Sequence, residues 1–127
     1  MAGEFGAFID SKRKGRANDG TDIKLKDIAE AMGKTATYLS DIIKGRRNPP
    51  EKDLLEKMAL ILHLTNAEKS EMYDLAGQGR NEVSPDLPDY IMNDELPHAR
   101  TALRRAKEKG LDDNFWKKIY EDIEKRE

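Results

Sequence analysis

Two short runs of the 127-residue sequence concentrate positive charge: Lys12-Arg13-Lys14 with Arg16, and Lys44 with Arg46-Arg47. Ammonium and guanidinium groups bunched in this way can neutralise a row of phosphates. A solvated helix end accounts for the first run equally well, because cations also suit the negative end of a helix dipole. The other reactive side chains are scattered. His63 and His98 each stand alone, which fits a structural or surface role better than metal ligation. Cysteine is absent, so thiolate ligands and disulfides are excluded, and a reducing cytoplasm suits the chain. The sequence carries no metal cluster, nucleophile–base pair or phosphate-cradling glycine motif. It therefore reads as a binding protein with no cofactor or metal, not as an enzyme.

The elements that must position the second cationic run lie just before it, in LKDIAEAMGKTATYLSDIIKGRR from Leu25 to Arg47. Ile28, Ala29 and Met32 share one face of a short helix, and Leu39 and Ile42 share one face of a second. Ala29 is small where two helices cross closely, and Gly33 can adopt the positive φ that ends a helix at little cost. Thr35 can cap the second helix by accepting a backbone N–H. Two short helices, a tight turn and a basic loop are the internal logic of a helix-turn-helix.

The remaining residues supply a core around that pair. Gly3 to Lys14 is expected to be helical with Phe5, Phe8 and Ile9 inward, and GRANDGTD (15–22) a loop whose Arg16 either lies on a tolerated surface insertion or reaches a phosphate. Arg46-Arg47-Asn48-Pro49-Pro50 cannot be helical. Asp53 to His63 reads as a buried helix through Leu54, Leu55, Met58, Ala59, Ile61 and Leu62, and Thr65 or Asn66 can cap a fifth helix ending at Ala76. No period-two strand pattern occurs, so the fold is expected to be all-α: five helices in residues 1–77, a linker at 78–86 and a helical segment at 87–127. In that last segment Leu96, Ala99, Ala102, Leu103 and Ala106 form one stripe, and Phe115, Trp116, Ile119, Tyr120 and Ile123 another. The second stripe is too rich in aromatics for so small a segment to bury alone, and is expected to contact the first domain, a second copy or a partner.

The net charge of −2 hides an uneven distribution. Residues 1–80 carry 14 Lys/Arg against 13 Asp/Glu, and residues 81–127 carry 9 against 12. Local basic patches on a nearly neutral body imply modest, strongly salt-dependent affinity for nucleic acid. No apolar run is long enough to span a bilayer and the first residues lack a signal-peptide core, so a cytoplasmic protein with no membrane partner is expected.

In the order of these features, residues 5–76 resemble the Cro/repressor-type (XRE) family of DNA-binding domains. The resemblance rests on Ile28-Ala29, Met32-Gly33, Leu39, Ile42 and Lys44-Gly45-Arg46. It implies double-stranded DNA as partner, with the second helix of the motif in the major groove and the first across the backbone. Position by position it places Ala36, Thr37 and Asp41 at base edges. Lys24, Lys26, Lys34, Thr35, Tyr38, Lys44, Arg46 and Arg47 fall at or near phosphates. Where family members often carry Gln at the start of the first helix, this chain has Leu25 between Lys24 and Lys26. The implied function is a sequence-specific regulator, a repressor acting as a homodimer on a palindromic operator, with Phe115, Trp116, Ile119, Tyr120 and Ile123 as the dimer or partner contact. The alternative is an antitoxin-like or adaptor protein whose helical tail binds a protein partner.

Overall fold

The computed structural model describes residues 3–127; Met1 and Ala2, the start of the expected 1–77 domain, lie outside them. The described residues form α1 (Glu4–Lys12), α2 (Leu25–Met32), α3 (Ala36–Ile43), α4 (Lys52–Ile61), α5 (Asn66–Arg80), α6 (Pro88–Ile91), α7 (Pro97–Glu108) and α8 (Asp113–Glu124), with no strand among them. The chain divides into two compact units, one ending at Pro88 and one spanning Asp89 to Glu127.

In the first unit, α1 to α5 close on one core. Ile9, Ile28, Met32, Leu39, Leu55, Met58, Leu62 and Met72 are its largest fully buried side chains. Neither α2 nor α3, at eight residues each, is long enough to hold as an isolated helix, so both depend on this packing. The α1–α3 crossing is tight: a Cβ on Gly6 would lie 2.1 Å from the Ile43 carbonyl oxygen. The helix expected to be buried after the prolines packs on the core through the residues named for it. Leu55, Met58 and Ala59 face inward, Leu54 and Ile61 are partly covered, and Leu60 is exposed. His63 ends that helix in the left-handed region at φ 53°, with the Leu64 amide donating to the Ala59 carbonyl at 3.1 Å.

The segment expected as a linker is helical in its first part, since α5 runs to Arg80. Gly77 and Gly79 look like loop formers, but they serve close approach. A Cβ on Gly77 would meet the returning backbone at 82–84, and one on Gly79 would sit 2.7 Å from the Pro49 ring. Thr65 caps α5 in a reciprocal box with Glu68.

Glu68 also gathers the first cationic run. Arg16 donates to its two carboxylate oxygens at 3.0 and 2.5 Å and to the Leu62 carbonyl at 3.3 Å, and Lys12 approaches within 3.3 Å. Arg13 pairs with Asp10 and Lys14 with Asp22. The 15–22 loop is therefore pinned to α5 by Arg16, and this arginine faces a carboxylate instead of a phosphate. The Arg16 guanidinium, with the Thr65 amide, holds the Glu68 carboxyl well below the usual carboxylate range.

In the second unit α7 and α8 carry the two expected stripes. Ala106 is buried, and Phe115 packs edge-on against Trp116 at 5.0 Å, yet Tyr120 and Ile123 remain 62% and 56% exposed.

Two changes test this packing. Gly6→Ala forces a methyl into the Ile43 carbonyl and is expected to cost about 2–3 kcal/mol, or roughly 10 °C in melting temperature; an unchanged melt would contradict the crossing. Glu68→Gln keeps the cap but removes the charge. A carboxyl with a depressed folded pKa stabilises above its unfolded pKa, and that contribution fades as acid protonates it. Urea denaturation should thus find the variant about 1.5 kcal/mol weaker at pH 7, with the gap narrowing below about pH 4. A gap that does not change with pH would remove the charge from the explanation.

Candidate nucleic-acid interface

Gly33, at φ 70° and ψ 28°, stops α2, and the Lys34 amide folds back to the Ala29 carbonyl at 2.9 Å. Two residues later Thr35 starts α3 by accepting the Tyr38 amide at 3.1 Å. Its hydroxyl is thereby used as an acceptor, with the O–H still available as a donor. Leu39 and Ile42 turn inward and leave Ala36, Thr37, Ser40, Asp41 and Lys44 on the outer side of the helix, at spacings of three and four.

Ala36 and Thr37, both expected at base edges, are exposed at the front of α3. Asp41, the third, is half-buried, and Arg46 approaches it within 3.8 Å. That pairing turns part of the carboxylate toward the following loop and offsets the repulsion it would have from phosphate. Ser40 has no place in the cationic or apolar patterns that mark the other residues. It sits between Ala36, Thr37, Asp41 and Lys44 on the same face, and a hydroxyl there can donate to or accept from a base edge. Helical periodicity applied to the polar residues of α3 is the signal that finds it.

The phosphate candidates surround this face. Lys24 and Lys26 are exposed at the N-terminus of α2, which no side chain caps, so amide dipoles and ammonium groups act together there. On the far side, Tyr38 is flanked by two cations: the Lys34 ammonium lies 5.3 Å and the Arg47 guanidinium 5.0 Å from its ring centre. Partial burial raises the Tyr38 hydroxyl above the ordinary phenol range, and Arg47 and Arg80 oppose that rise. Lys44 and Arg46 are exposed. Pro49 and Pro50 are buried and anchor the loop that bears Arg46 and Arg47.

Residues 21–65 match the model of a helix-turn-helix family. The match takes in α2, α3 and α4 with the turns between them. Motifs of this class lay their second helix in the major groove and set the first across the backbone; α3 is the second helix of the segment matched here. The chain is also 38% identical over 61 residues to the ImmF control region 10 kDa protein of Bacillus phage phi105, a match covering 48% of this chain and 61% of the relative. It thus spans less than two thirds of the length of that relative. No solved structure matches the chain. Among the described residues no group of His, Asp or Glu side chains is placed to hold a metal ion, and no helix is long and apolar enough to cross a membrane.

The basic loop gives the most direct test of the interface. Replacing both Arg46 and Arg47 by Ala should lower duplex affinity at least tenfold at moderate salt and reduce the slope of log K against log salt by about 1.8, one phosphate each. An unchanged slope would place the duplex elsewhere.

Proposed function

We propose that the chain is a DNA-binding transcriptional regulator, a repressor that acts as a homodimer on a palindromic operator. The observation that carries this is the outer face of α3 in a helix-turn-helix, rimmed by Lys24, Lys26, Lys34, Lys44, Arg46 and Arg47. Cations around such a face can hold it in register on the phosphates. The phi105 relative is named for a control region, which supports a regulatory role.

Base recognition by this face is thin. Thr37 and Ser40 can hydrogen-bond either kind of base, Ala36 offers only a methyl contact to thymine, and Asp41 can accept from a cytosine amino group. With no Arg, Asn or Gln at the front of α3, no bidentate contact arises, so one copy discriminates weakly. Two copies at a fixed spacing, together with DNA shape, supply the remainder.

Pairing through the Asp89–Glu127 unit is supported by its size and surface. Units near ~40 residues usually need disulfides, a metal or association to stay folded. This one has no cysteine, and it leaves Leu103, Ile119, Tyr120 and Ile123 open to solvent. The same exposed stripe suits an adaptor or antitoxin-like protein whose tail grips a different chain, and the two roles are compatible.

Selection from a random duplex library with the full chain should return a two-fold symmetric site with half-sites about one helical turn apart. Recovery of no sequence, or of an asymmetric one, sinks the homodimeric operator. Removing residues 86–127 should leave a monomer in solution; a truncated chain that stays dimeric moves the contact to the first unit.

A further inference from the structure

Arg80, the last residue of α5, lies far in sequence from the motif but reaches the loop that follows it. Its guanidinium donates to the Pro49 carbonyl at 3.1 Å and approaches Glu82 at 3.5 Å. The neighbouring Gly79 lets α5 press directly on the Pro49 ring. Pro49 has no N–H and cannot be held by a backbone ladder, so its carbonyl is the handle by which this loop can be fixed. The other end of the loop is held by the Arg46 amide on the Asp41 carbonyl at 2.8 Å. Between these two bonds lies Arg47, set against Tyr38. Lys34, Tyr38, Arg47, Pro49 and Arg80 all line one open groove.

We propose that Arg80 is a positioning residue for DNA binding: by clamping the Pro49 carbonyl it fixes the 46–50 loop with Arg46 and Arg47 turned toward the phosphates. The proposal rests on the DNA-binding reading above. A cation at the end of a helix also satisfies the helix dipole, and that role alone predicts no effect on the loop. The clamp predicts a specific one.

The test uses the full chain and a duplex carrying the library-selected site. Arg80→Met should weaken binding about five- to tenfold while leaving the salt slope unchanged, because no phosphate contact is lost. Arg80→Lys, whose ammonium can still donate to the Pro49 carbonyl, should restore most of the affinity. Gly79→Ala, which pushes Pro49 away without altering charge, should reproduce the loss, and it carries the test if Arg80→Met fails to fold. In the absence of DNA, the Arg46 amide should exchange its hydrogen faster in Arg80→Met. A slope lowered by about 0.9 makes Arg80 itself a phosphate ligand and overturns the clamp. Unchanged affinity, or unchanged exchange at Arg46, overturns it as well. A wild-type chain that binds no duplex overturns the DNA-binding reading, and the exchange experiment still decides whether Arg80 holds the loop.

Discussion

Everything at the candidate interface depends on how closely α1 can approach the end of α3. Gly6 lies under the Ile43 carbonyl with no room for a methyl group. This contact fixes one end of a helix that is too short to persist alone. With α3 held, Leu39 and Ile42 enter the core, and the polar side of the helix is presented outward by default. Gly33 and Thr35 set the angle between α2 and α3, since a left-handed stop followed at once by a capped start leaves the chain little freedom. The prolines and α5 then hold the basic loop beside that outward face.

Electrostatics follows the same division between what is tied inward and what is left outward. The chain is close to neutral overall, so binding a polyanion requires that its cations be sorted. Those near α1 are absorbed by Asp10, Asp22 and Glu68 and act as staples. Those around α2, α3 and the loop after α3 stand mostly in solvent, with Arg46 only loosely matched to Asp41. A charge-assisted pair beside a packed core strengthens the fold, whereas an exposed cation gains most from a phosphate that releases its counterions. Cations of the same kind thus have two separate uses, and neighbouring carboxylates decide which.

The second unit presents the opposite situation. Asp112 caps α8 and a proline opens α7, whose N-terminus no side chain caps, yet the unit buries little apolar surface. Local signals are enough to mark helices there, while the apolar residues of α8 stay largely in solvent.

The sequence by itself determined the helices and the motif. Apolar spacing marked α2 to α5 and both tail helices, Gly33 and Thr35 marked the turn, and the paired prolines marked the loop, because these signals act over three or four residues. It also marked most of the outer face, since a residue opposite an apolar stripe must point to solvent. Tertiary structure alone decided what lies far apart in sequence. The Lys12–Arg16 run resembled a phosphate patch until the fold brought Glu68 to it, some fifty positions away. Gly79 fell in the expected linker, yet it lies in α5 where the Pro49 ring leaves no room for a Cβ. Arg80 fell in the expected linker, and only the extension of α5 brings it to the Pro49 carbonyl. Periodicity reports which side of a helix is buried, but not which distant group lies there, and a charge or a glycine takes its meaning from that neighbour.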